Sequence, residues 1–172
     1  MRGDCSAAPY ALKYAEIRLI RKTAHLMNTQ SINESRQQTH KLAQELLEKR
    51  SLLWALRDQL VKLQPYDAER PLEPLVRQFC QELIDYISLE HFGVFHHLLN
   101  GTEKDTGMIG LAEEIYLGMA ETTDAALDFN DRCEAFTEEE LRRELPGELA
   151  ALEVDLALRV ELEDRLVERM TG

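Results

Sequence analysis

An all-α fold is predicted, an antiparallel up-and-down helical bundle with long helices and short loops. Three observations on the 172-residue sequence carry it. Apolar residues, mostly leucine, recur at three- and four-residue steps over long stretches, as on one face of a helix. No stretch alternates apolar and polar residues with the period of a strand, and no internal repeat occurs. Eight Gly and five Pro leave little room for a turn-rich β architecture.

Residues 9–27 show only a weak helical period (Tyr10, Tyr14, Ile17, Ala24) with a basic opposite face. They hold most of an N-terminal extension, residues 1–30, expected to be weakly ordered or, with Met27 as the true start, not part of the native protein. Residues 31–172 are expected to form a single domain. From Ser31 to Leu63 the pattern is helical, with Leu42, Leu46, Leu53, Leu56, Leu60 and Leu63 on one stripe. Gln64-Pro65-Tyr66-Asp67 breaks it. Glu69-Arg70-Pro71 opens a second helix, since proline is tolerated in a first turn, and this helix should run to about Leu99. The segment from Asn100-Gly101-Thr102 to Thr106-Gly107 is the clearest loop. A third helix is expected from Ile109 to Asp128, with an end or irregularity at Phe129-Asn130-Asp131, where Asx-turn chemistry is available. Thr137 and Glu140 form a capping box that starts another helix. Pro146-Gly147 should kink or interrupt it. The pattern then resumes through Leu149, Leu152, Leu156, Val160, Glu163 and Val167.

The chain carries 32 acidic and 20 basic residues, a net charge of −12. Direct binding to nucleic acid or to an anionic membrane surface is disfavoured, because phosphates demand clustered Lys and Arg. A basic partner is the better match. The charge is uneven: residues 1–26 are net +3, and residues 101–172 are net −13. No apolar run is long enough to span a bilayer, and the N-terminus lacks the apolar core of a secretory signal. Cys5, Cys80 and Cys133 are far apart and odd in number. A disulfide framework is not expected, and a reducing, cytoplasmic location is.

The second helix is apolar on two sides. Leu72, Val76, Leu83, Tyr86 and Ile87 fall within roughly 80° of Phe79 on a helical wheel, an ordinary core stripe. Ile84, Phe92 and Phe95 lie on the other side, with Asp85 and Ser88 beside Phe92. Such a helix is either central in the bundle or presents an interaction surface around an aromatic anchor. Periodicity leaves both open.

The stretch Phe79-Cys80-Gln81-Glu82-Leu83-Ile84-Asp85-Tyr86-Ile87-Ser88-Leu89-Glu90-His91-Phe92 resembles the signature of the Rsd/AlgQ family, regulators of the housekeeping sigma factor. The family form is close to F-C-x-x-L-[VI]-D-Y-[LI]-S-x-G-H-F. Leu42 to Leu53 is similar to that family's first long helix, and Arg159 to Leu166 to its C-terminal R-x-x-L-E-D-x-L. The chain departs from the pattern at Glu45-Leu46, where the family has Arg-Trp, and at Glu90, where it has Gly. The resemblance implies an all-α protein without catalysis or cofactor. It also implies binding of the primary, sigma-70-class sigma factor, chiefly at its C-terminal region 4, so that the factor is kept from core RNA polymerase. Carried over by residue, the contact surface is Asp85, Ser88, His91 and Phe92, with Arg50 on the first long helix. A monomer is the expected state. An acidic helical adaptor for another cytoplasmic protein is the alternative.

Catalytic and metal chemistry find little support. His91, His96 and His97 are not at i, i+4 spacing, and neither E-x-x-H nor H-E-x-x-H occurs. Glu138-Glu139-Glu140 suits a helix N-terminus and its dipole better than acid–base work. No nucleophile elbow, P-loop or dinucleotide fingerprint is present.

Overall fold

The computed structural model describes residues 8–67, 70–99 and 105–172, with side chains from residue 31 onward. The elements are α1 (Ala8–Lys62), α2 (Glu73–Ser88), a π-helical stretch (Leu89–Phe95), α3 (His96–Leu99), α4 (Thr106–Ala135) and α5 (Glu138–Thr171). No strand occurs among the described residues, and the fold is all-α. Contacts divide the chain into two compact units, Met1–Gln37 and Gln38–Gly172. The expected extension, residues 1–30, lies outside the described side chains, and residues 1–7 lie outside the description altogether. So does most of the expected loop after Leu99. Among the described residues no helix is long and apolar enough to cross a membrane.

The second unit is organised by two matching buried stripes. Met108, Ala112, Ile115, Met119, Thr122, Ala126, Phe129 and Cys133 are buried along α4, at alternating four- and three-residue steps. On α5 the buried stripe is Leu149, Leu152, Leu156, Arg159, Glu163, Leu166 and Met170, with the same alternation. This is the seam spacing of helices that pack side by side. Cross-links from Asp105 to Arg169, Glu114 to Arg165 and Thr122 to Arg159 descend α5 as they climb α4, so the two run antiparallel. Phe79 of α2 meets Phe129 of α4 edge-on, with centroids 5.7 Å apart. The α1 leucines 42, 46, 53, 56 and 60 complete one core with them, while Leu63 stays half-buried.

Two sequence expectations are corrected. The third helix does not end near Asp128; α4 continues to Ala135. Phe129 and Cys133 are seam positions, and burying them outweighs the turn preference of Asn130-Asp131. Nor does Pro146 interrupt α5, which is continuous from Glu138 to Thr171. Leu141, Leu145 and Leu149 are buried on either side of the proline, so packing holds the helix across the missing hydrogen bond.

The helix ends are capped as their residues suggest. Thr137 and Glu140 form the expected reciprocal capping box. The neighbouring Glu138 carboxylate reaches α2 and accepts from Leu72 N–H at 2.8 Å and Glu73 N–H at 3.1 Å, so one acidic turn serves two helix starts. Asp105 caps α4, accepting from Gly107 N–H at 2.8 Å and Met108 N–H at 3.1 Å, and pairs with Arg169 at 3.0 Å. Arg169 foremost, then these amides, hold its carboxyl below the usual carboxylate range. Asp105→Ala should therefore lower the unfolding free energy by about 1 kcal/mol at neutral pH. A depressed folded-state value stabilises above the unfolded one and is lost as pH falls through the folded one. Urea unfolding of parent and variant should show the gap closing below about pH 3.

Candidate partner-binding surface

The helix after Pro71 turns the corner in an unusual way. From Leu89 to Phe95 the backbone widens to a π-helix, with the His96 N–H reaching back to the His91 carbonyl. Each residue then advances fewer degrees around the axis, so residues three apart no longer share a face. Phe95 turns into the core, 3% exposed, while Phe92 stands out at 71%. Gly93 leaves little room for a side chain: a β-carbon there would lie 3.1 Å from Leu89 Cδ1 and 3.3 Å from Leu42 Cδ2 of α1. The α2 helix is packed on one side, through Val76, Phe79, Leu83, Tyr86 and Ile87, and Phe92 beyond it is exposed.

Phe92 lines a groove of about 730 Å³ between α1 and the α2–π segment. Glu45, Glu48, Lys49 and Leu52 line it from α1; Asp85, Ser88, Leu89, Phe92 and Gly93 line it from the other side. Its apolar lining is Leu52, Leu89 and Phe92, and its charged lining is acidic apart from Lys49. Lys49 Nζ lies 3.0 Å from Glu82 and 3.3 Å from Asp85. These bonds, with Glu82 foremost, hold the Lys49 ammonium above its ordinary value. Asp85 also accepts from Gln81 at 2.9 Å.

The structure thus brings Asp85, Ser88 and Phe92 into one groove. His91 does not line that groove; it is exposed, its ring 4.9 Å from that of Phe92 and 6.2 Å from that of Tyr116. Arg50 sits elsewhere. Its side chain is 16% exposed and binds Asp164 of α5 at 2.7 Å and Glu163 at 3.4 Å. The three histidines diverge, with His97 bonded to Thr39 at 2.9 Å. Sequence reasoning did not find Lys49 and Leu52. The signal was available: Glu45, Glu48, Lys49 and Leu52 share one α1 face by i, i+3 and i+4 spacing.

Beneath the groove lies a buried ionic cluster. Arg159, 1% exposed, pairs with Glu90 and Glu163, both fully buried. It also donates to Thr122 at 2.9 Å and Thr123 at 3.0 Å. Tyr86 donates to Glu163, and its ring lies under the Arg159 guanidinium at 5.4 Å. Burial pushes the Tyr86 hydroxyl and the Glu163 carboxyl up and the Arg159 guanidinium down. Glu90, the residue standing where the resembled pattern has Gly, therefore opens the π-helical stretch as an internal counter-charge. All three stretches of the resemblance meet here: Arg50 from α1, Tyr86 and Glu90 from the central stretch, Arg159, Glu163 and Asp164 from α5.

Comparison with known proteins gives the following. A family model described as "Regulator of RNA polymerase sigma(70) subunit, Rsd/AlgQ" matches residues 25–171. A protein named Regulator of sigma D from Salmonella paratyphi A (strain ATCC 9150 / SARB42) is 29% identical over 96 residues, 55% of this chain and 59% of the relative. Proteins of the same name from Shigella dysenteriae serotype 1 and Escherichia coli K12 (DH10B) are 28% identical over 96 residues, 55% of this chain and 60% of each relative. The matched stretch thus spans about three-fifths of the curated relatives. No solved structure matches significantly.

Proposed function

The chain belongs to the Rsd/AlgQ family of regulators of the RNA polymerase sigma(70) subunit, and on that premise we propose that it binds the primary sigma factor through the α1–α2 groove. The contact is with the factor's C-terminal region 4, and it keeps the factor from core RNA polymerase and from the −35 promoter element. The protein acts as a regulator in the cytoplasm and not as an enzyme. The observation that supports this reading is Phe92, 71% exposed in a groove whose charged lining is acidic apart from Lys49. A module that reads promoter DNA must present cations to phosphates. An acidic groove offers those cations a competing seat, which speeds encounter and fixes orientation. The aromatic ring supplies desolvated contact area.

The reading is tested by association kinetics against the whole primary sigma factor. Binding should be fast at low ionic strength and slow progressively as salt screens the attraction. Lys49 now neutralises part of the acidic lining, so Lys49→Gln, which releases Asp85 and Glu82, should raise the association rate by a factor of roughly three. No binding to the sigma factor, or salt-independent binding slowed by Lys49→Gln, contradicts the reading. Capture of a different cytoplasmic protein with the sigma factor absent points to the adaptor alternative.

A further inference from the structure

A second groove, of about 660 Å³, lies between α2, α4 and the start of α5. Cys80 and Cys133 both line it, together with Val76, Arg77, Ile84 and Phe136. The two cysteines come from different helices and distant parts of the chain, and both are free thiols, 5% and 6% exposed. The Phe79–Phe129 edge contact clamps α2 on α4 one residue before Cys80 and one turn before Cys133. We propose that Cys80 and Cys133 form a peroxide-responsive dithiol that closes into a disulfide joining α2 to α4.

The two sulfurs are not equivalent. The neighbouring Cys133 thiol holds the Cys80 thiol below its ordinary value, against the effect of burial. Cys80 and burial together push Cys133 up. Cys80 serves as the nucleophile and Cys133 as the resolving thiol, an order that the serine variants below test. The Cys80 thiolate attacks one oxygen of hydrogen peroxide; the O–O bond breaks, leaving Cys80 as a sulfenic acid, and hydroxide departs to become water. The Cys133 sulfur then attacks the Cys80 sulfur, the S–O bond breaks, and a second water leaves with the Cys133 proton. Two thiols and one peroxide give one disulfide and two waters. The groove is open to solvent and admits so small an oxidant. The crosslink would hold α2 less than two turns before Asp85, and it is a property of the chain whether or not the sigma-factor reading stands.

The experiment uses the full-length reduced protein. It is exposed to a small molar excess of hydrogen peroxide, alkylated, and mapped by mass spectrometry without reduction. The expected product is a Cys80–Cys133 linked peptide pair, returned to two alkylatable thiols by dithiothreitol, with a higher melting temperature for the oxidised form. In Cys133→Ser, Cys80 should be trapped by dimedone as a sulfenic acid; in Cys80→Ser, Cys133 should remain a thiol. Both thiols fully alkylatable after peroxide, or disulfides formed only with Cys5, would overturn the proposal. The mapping on the parent chain decides the matter even where a serine variant folds poorly.

Discussion

Arg159→Ala is expected to lower the unfolding free energy by about 3–5 kcal/mol. Arg159 is the cation that Glu90 and Glu163 share in a space with no solvent exposure. It also satisfies Thr122 on the α4 seam. Removing it leaves two buried carboxylates, of which only Glu163 keeps partners, in Tyr86 and Arg50. Glu90 Oε1 already lacks a hydrogen-bond partner, so nothing nearby compensates. The sign of the pH dependence follows. Burial already pushes Glu163 up with Arg159 present. Without the guanidinium, Glu163 should bind a proton still more readily in the folded state than in the unfolded one. A raised folded-state value favours the native state at low pH, and that advantage is lost as pH rises. Urea unfolding at about pH 5.5 and about pH 8 should therefore show a smaller deficit at the lower pH. A deficit below about 1 kcal/mol at both would mean that the cluster is not the counter-charged layer described. One polar layer in an apolar seam also has a structural use: Thr122 and Arg159 match in only one register of α4 against α5.

Phe92→Ala should weaken binding to sigma region 4 by about 2 kcal/mol, roughly 30-fold, and leave stability unchanged. The ring is 71% exposed, so its loss opens no cavity. It lines the groove together with Leu52 and Leu89, and a desolvated aromatic anchor is where binding energy concentrates. Asp85→Ala should cost less. Its carboxylate already accepts from Lys49 and Gln81, so a partner's cation gains only what it adds to those bonds.

Much of this was legible in the residues. The break after Leu63, the capping box at Thr137 and the core stripe around Phe79 follow from spacing and cap chemistry alone, because each depends on neighbours in sequence. What was not legible depends on partners in space. Asn130-Asp131 has turn chemistry, yet Phe129 and Cys133 complete a seam that only α2 and α5 make worth continuing. Pro146 removes one hydrogen bond, and the buried leucines on either side outweigh it. Asp85, Ser88 and Phe92 could be grouped from their spacing, but the π-helical widening that exposes Phe92 and buries Phe95 has no comparable signature. Arg159 shows the limit best. It falls in the buried α5 stripe at the correct step, between Leu156 and Glu163, but a charged residue there reads as surface until Glu90 is seen to meet it.

The central claim, that the Phe92 groove receives the DNA-reading module of the primary sigma factor, is tested most directly by isothermal titration of isolated sigma region 4 into the full-length protein. The expected result is saturable one-to-one binding that weakens with added salt, with Phe92→Ala shifting the dissociation constant about 30-fold. Absence of binding heat across a range of temperatures, or equal affinity for parent and Phe92→Ala, would contradict it.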